Sequence, residues 1–290
     1  MAVTALSLVV AIVLGLLADV VTGALQRTSS GRRRWWWPLS GFATDVRLLV
    51  MRRDRISVVE AVWGGLALLG GTLAAAGAVG AAPGNAPFLY LSLALAAVGG
   101  HAAASVSDLG VVEYRAARAR LHFALAEPAF VLAFVAGFVR WGASDLEAVR
   151  GAHDVLGGLE VGPPTAAAGL LLAALVLIAA GSLRLAPERG AEAGAGGGGS
   201  LVVTLCRWSL AGATSLAAAA FLMGSDEGVL TAGRLFDRVL LPLLPAAIAG
   251  AVTLGGVRAL VGLLPTAIRP LAGWAAALLG AVALELVVLA

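Results

Sequence analysis

Lysine is absent from this 290-residue sequence, and cysteine, histidine and charge in general are scarce. The single cysteine, Cys206, excludes an internal disulfide. It also excludes an iron–sulfur cluster or a cysteine-type zinc site carried by this chain alone. The three histidines, His101, His122 and His153, lie too far apart to form a metal motif. Charged residues make up 13% of the chain, about half the usual share of a globular domain. Aromatic residues make up only 6%, so alanine, glycine, leucine and valine carry the apolar bulk. With 60% hydrophobic residues and a mean hydropathy of +0.95, the composition excludes disorder and argues against a soluble single-core domain. It is the composition of a chain whose solvent is mostly lipid. The formal charge of +3 is carried against the acids by arginine alone. In such a chain basic loops report topology, and nucleic acid is not an expected partner.

A helix needs about 20 apolar residues to cross hydrocarbon. Eight stretches meet that need: residues 2–25, 57–81, 88–106, 123–141, 165–185, 201–223, 239–260 and 267–289. The expected fold is therefore all-α, a single polytopic membrane bundle over residues 1–290. The first stretch has no basic leader and no clear small-residue cleavage site, so it reads as a retained span. Sixteen of the twenty arginines fall in or beside the connections after spans one, three, five and seven. The positive-inside rule places those connections in the cytoplasm and both termini outside, in a bacterial inner membrane. The outer loop after span four is acidic, with Asp145, Glu147, Asp154 and Glu160, in agreement. Gly64-Gly65, Gly70-Gly71 and Gly99-Gly100 allow close helix packing. Pro242 and Pro245 leave span seven either bent or continuous. Residues 187–200 read as a Gly-rich cytoplasmic linker.

Two segments stand out as carriers of function. The first cytoplasmic loop, residues 26–56, holds Arg32-Arg33-Arg34 followed by Trp35-Trp36-Trp37-Pro38. Cations and indoles in that order suit headgroup depth. Leu39, Phe42, Ala43, Val46, Leu49 and Val50 then form one helical face, with Asp45, Arg47 and Arg52 elsewhere. This predicts an amphipathic helix on the inner surface, either a plain anchor or a docking surface for a cytoplasmic subunit. The candidate docking residues are Trp35, Trp36, Trp37, Phe42, Asp45, Val46 and Arg47.

The second segment joins spans three and four. It contains Asp108, Glu113, Arg115, Arg118, Arg120 and the run Leu125-Ala126-Glu127-Pro128-Ala129. Ionisable groups at membrane depth face a cavity or one another. Glu127 can exchange protons there or pair with Arg118 or Arg120 to fix the turn. Asp108, Glu113, Arg118 and Glu127 are the candidates for a proton or quinone chamber. His101 is expected to be a helix–helix hydrogen-bond donor. Asp19, Glu60 and Glu285, near span ends, are expected to reach headgroups in structural roles.

These features together resemble the membrane subunit shared by respiratory complex I (its subunit 1) and group 4 nickel–iron hydrogenases, including formate hydrogenlyase subunit 4. The resemblance rests on eight spans with outside termini, the basic loop leading to Asp45 and Arg47, the polar hinge, and the Leu-Ala-Glu-Pro-Ala run with an arginine, Arg118, nine residues before Glu127. As sequence it covers about the first half of the chain. The chain departs from the pattern at Gly41-Phe42, at Arg118-Ala119, and where the family's acidic loop is replaced by the Gly-rich linker, with Glu188 and Glu192 remaining. The resemblance implies a non-catalytic subunit that anchors a peripheral arm and contributes to a quinone or proton-coupling chamber. It implies no cofactor in this chain, iron–sulfur clusters and a nickel–iron centre in partner subunits, and antiporter-like membrane neighbours. A small-solute or ion transporter and a purely structural membrane subunit remain open as alternatives.

Overall fold

A computed structural model describes residues 2–25, 42–43, 46–47, 56–105, 145–147, 198–223 and 241–263, with Ala275, Leu278, Leu279 and Val282. Five helices make up the described architecture: α1 (Ala2–Leu25), α2 (Val58–Ala78), α3 (Ala86–Ser105), α4 (Gly198–Met223) and α5 (Leu241–Leu263). Among the described residues there is no strand beyond one isolated bridge, between Asn85 and Asp145. The all-α expectation holds for these residues. Four helices, α1, α2, α4 and α5, are long and apolar enough to cross a membrane, and the apolar part of α3, Pro87–Ala103, is shorter. The expected spans 123–141 and 165–185 lie outside the described residues, as does nearly all of 267–289.

The helix ends follow from local chemistry. Ser57 and Glu60 form a capping box at the start of α2: the Glu60 amide donates to Ser57 Oγ at 3.1 Å, and the Ser57 amide donates to Glu60 Oε2 at 2.9 Å. Glu60 is thereby turned back onto its own helix end and buried, a local role that its sequence position near a span end did not reveal. At the other end of α2, the Ala81 amide donates to the Ala76 carbonyl at 2.8 Å and the Gly80 amide to Gly77 at 3.2 Å. Gly80 sits at a φ of 73°, the left-handed position this type of helix stop favours in glycine. Asn85 Oδ1 accepts from the Phe88 amide at 3.0 Å and starts α3. Pro245 lies inside α5, yet the helix continues through it. It falls in the second turn and removes a single backbone donor near the helix start. The first turn of α4 begins at Gly198, so the end of the Gly-rich stretch is helical.

α2 and α3 form an antiparallel hairpin. A Cβ at Gly99 would come within 2.8 Å of the Ala67 amide nitrogen, so the two backbones pack face to face. α4 is the central helix: 89% of its apolar stretch is buried, against 33% for α1 and 39% for α2 and α5. The close approaches of Gly15 to Trp208 and of Gly212 to Ala11 make α1 and α4 antiparallel. Those of Gly64 to Val202 and Gly71 to Ser209 make α2 and α4 parallel. α1, α3 and α5 therefore run one way and α2 and α4 the other. The outer faces carry Val9, Val13, Val58, Leu69, Leu91 and Leu260 exposed, an apolar surface suited to lipid.

One contact ties the hairpin to a distant segment. The Leu146 amide donates to the Gly84 carbonyl at 3.2 Å, and the Leu146 side chain is fully buried in the core beside the α2–α3 turn. Leu146→Ala is expected to cost about 2 kcal/mol, the low end for a buried leucine because this rim site can partly collapse. A fall in the thermal midpoint of the detergent-solubilised protein, absent in Leu146→Met, checks it.

Candidate functional site

Three of the long apolar helices each carry one charged residue amid apolar neighbours: Asp19 in α1, Arg207 in α4 and Arg258 in α5. An isolated charge in hydrocarbon is costly, so such residues seek one another. Here they meet. Asp19 Oδ2 accepts from Arg207 Nη2, and Asp19 Oδ1 accepts from Arg258 Nη1. Trp208, next to Arg207, donates its indole N–H to Asp19 Oδ2 at 2.7 Å. Both carboxylate oxygens are thus engaged. The cluster is internal: the Asp19 side chain is 6% exposed, and those of Arg207 and Arg258 are 11% and 14% exposed.

Small residues one turn away make the meeting possible. Gly15 precedes Asp19 by four residues, and a Cβ there would lie 2.0 Å from the Trp208 carbonyl oxygen. Gly255 precedes Arg258 by three residues, and a Cβ there would lie 2.4 Å from the Ala18 carbonyl oxygen. Thr22, a turn beyond Asp19, shares its hydroxyl proton between the Ala18 carbonyl at 2.8 Å and the Gly255 carbonyl at 3.1 Å. α1 is therefore joined to α4 and α5 by backbone contact and then by charge at the same level.

The cluster has a cover. The Phe42 ring packs on the Trp208 ring, with centroids 5.0 Å apart and planes inclined by 41°. Phe42 and Val46 are half-buried, while Ala43 and Arg47 are exposed. All four are helical; of the expected apolar face Phe42 and Val46 turn inward, while Ala43, expected on the same face, is exposed like Arg47. Of the expected docking residues, Phe42 is thus engaged within its own chain. Trp35, Trp36, Trp37 and Asp45 lie outside the described residues, as do the chamber candidates Asp108, Glu113, Arg118 and Glu127.

By its position near a span end Asp19 is expected to reach headgroups in a structural role, and no local pattern pairs it with Arg207 or Arg258. The structure corrects this: all three are buried partners in one cluster. The signal in the sequence was a lone charge in each of three apolar spans, with small residues a turn away. Chemically, a carboxylate held by two guanidiniums and an indole N–H is a structural lock between helices. Among the described residues no group of three His, Cys, Asp or Glu side chains could hold a metal ion. Cys206 is buried, with its thiol facing the Gly64 carbonyl at 3.6 Å, and His101 is buried in α3. No family model matches the chain, and no curated protein matches it.

Proposed function

We propose that this chain is a membrane-arm subunit of a complex I-like or group 4 hydrogenase-type respiratory complex, in the bacterial cytoplasmic membrane. It anchors a peripheral iron–sulfur and hydrogenase-like arm and contributes to a quinone or proton-coupling chamber. The chemistry belongs to cofactors in its partners. The observation that carries the reading is the seating of the first loop. Phe42 fixes the segment to Trp208, and Arg47 on the same short helical stretch is left exposed. A segment packed on Trp208 with an arginine left outward is a base on which a soluble subunit can rest.

The arrangement of eight spans with both termini outside belongs to the same proposal. Leu146 is bonded beside the α2–α3 turn, at the bundle end opposite the start of α4 and the end of α3. Ser105 and Asp145 thus stand at opposite ends of the bundle, as do Glu147 and Gly198, which supports an odd number of crossings between each pair. In that orientation the Asp19 cluster lies in the cytoplasmic half, on the side of the loop that seats on it.

Affinity purification of the tagged chain from its native membrane in mild detergent tests the reading. Iron–sulfur proteins are expected to co-purify, and Arg47→Glu is expected to reduce their yield at least severalfold while the membrane chain still inserts. A monodisperse homo-oligomer without iron-containing partners would overturn the proposal and favour a transporter.

A further inference from the structure

Trp208 is the joint between two features that the sequence keeps far apart. On one side its indole N–H holds Asp19 Oδ2 at 2.7 Å, within the ion cluster that joins α1, α4 and α5. On the other its ring carries Phe42 of the first loop. The Trp208 side chain is nearly fully buried, and its backbone is pressed against Gly15. The ring therefore has little freedom to adjust to one neighbour without disturbing the other.

We propose that the seated first loop and the Asp19 ion cluster form a single conformational latch, with Trp208 transmitting displacement between them. When Phe42 leaves the Trp208 ring, one side of the indole loses its packing and the hydrogen bond to Asp19 loosens. Asp19 is shared by both arginines, so the contact of α1 with α4 and with α5 loosens together. In reverse, a broken cluster frees Trp208 and unseats the loop. The latch deepens the docking reading above and rests on it for its purpose: a subunit pressing on the Arg47 face acts on three transmembrane helices through one ring.

The full chain in detergent, without partners, tests the latch by a double-mutant cycle. Phe42→Ala and Asp19→Asn are each expected to lower the thermal midpoint. Together they are expected to lower it by little more than the larger single change, because either alone opens the latch. In a Trp208→Phe background, which removes the N–H donor and so already opens the latch, whatever effect each change retains is expected to add. Additive effects in the Trp208 protein would overturn the latch. Should Asp19→Asn fail to fold, trypsin cleavage after Arg47 provides the second measurement. Trp208→Phe alone is expected to speed it at least fivefold, and an unchanged rate would overturn the latch. A coupled cycle in a chain that retrieves no partner removes the docking reading and leaves the latch. An additive cycle in a chain that does retrieve partners does the opposite.

Discussion

Asp19→Ala is expected to cost about 3–5 kcal/mol, because it leaves two guanidiniums inside the bundle without their carboxylate. Arg207 and Arg258 are 11% and 14% exposed, so water replaces little of what is lost. Asp19→Asn keeps the volume and one acceptor for the Trp208 N–H, and its loss is expected to be smaller. Removing all three charges together separates the two contributions. In the Asp19→Ala, Arg207→Met, Arg258→Met protein no charge is stranded, and most of the lost stability is expected to return. The measurement is the thermal midpoint and the monodisperse yield of each variant in one detergent. A change of no more than about 0.5 kcal/mol for Asp19→Ala, the scale of an ordinary surface substitution, would show that the cluster does not hold the helices together.

The helices were legible because hydropathy alone defines them. The expected span 2–25 coincides with α1, where Asp19 is the single charge in an otherwise uncharged run. For α2 the run overshoots, since Val79, Ala81 and Ala82 are still apolar while Gly80 takes the left-handed turn that ends the helix. The same feature was hidden for α4, whose first turn is built from Gly198, Gly199 and Ser200, residues that read as linker. The inward turn of Phe42 and Val46 is legible from a period of 3.6, which needs no partner to be recognised, whereas Ala43 on the same expected face is exposed. The partner itself, Trp208, was not. The ion cluster was the least legible part. Asp19 meets residues 188 and 239 positions away in the chain, and no local pattern encodes such a pairing. What the sequence does hold is a combination: Gly15 with Asp19, Trp208 with Gly212, and Gly255 with Arg258, each a polar or aromatic residue one turn from a glycine. Small residues mark where helices touch, and lone charges mark what they bring together. Neither rule alone singles out these positions.

Gly212→Val is expected to prevent formation of a monodisperse bundle, and Gly212→Ala to destabilise it strongly. A Cβ at Gly212 would lie 1.7 Å from the Ala11 carbonyl oxygen and 2.4 Å from its carbon. Both are backbone atoms of α1, so no side-chain rotation relieves the clash. The helices must part by more than an ångström to reach even the 3.0 Å that real Cβ atoms essentially never go below. Overpacking of a core by a methyl group typically costs about 1–3 kcal/mol, and a backbone neighbour puts Gly212→Ala at or above the upper end. The damage does not stay local. Trp208 lies one turn from Gly212 on α4, and parting α4 from α1 draws its indole N–H away from Asp19. Gly65→Ala is the matched control, since nothing lies within 4 Å of a Cβ built there. That change removes a helical glycine in open space and is expected to be neutral or stabilising by up to about 1 kcal/mol. Size-exclusion profiles and thermal midpoints of the two alanine variants, compared directly, decide the matter. Equal behaviour would mean that the α1–α4 contact is not the constraint that brings Asp19 to its arginines.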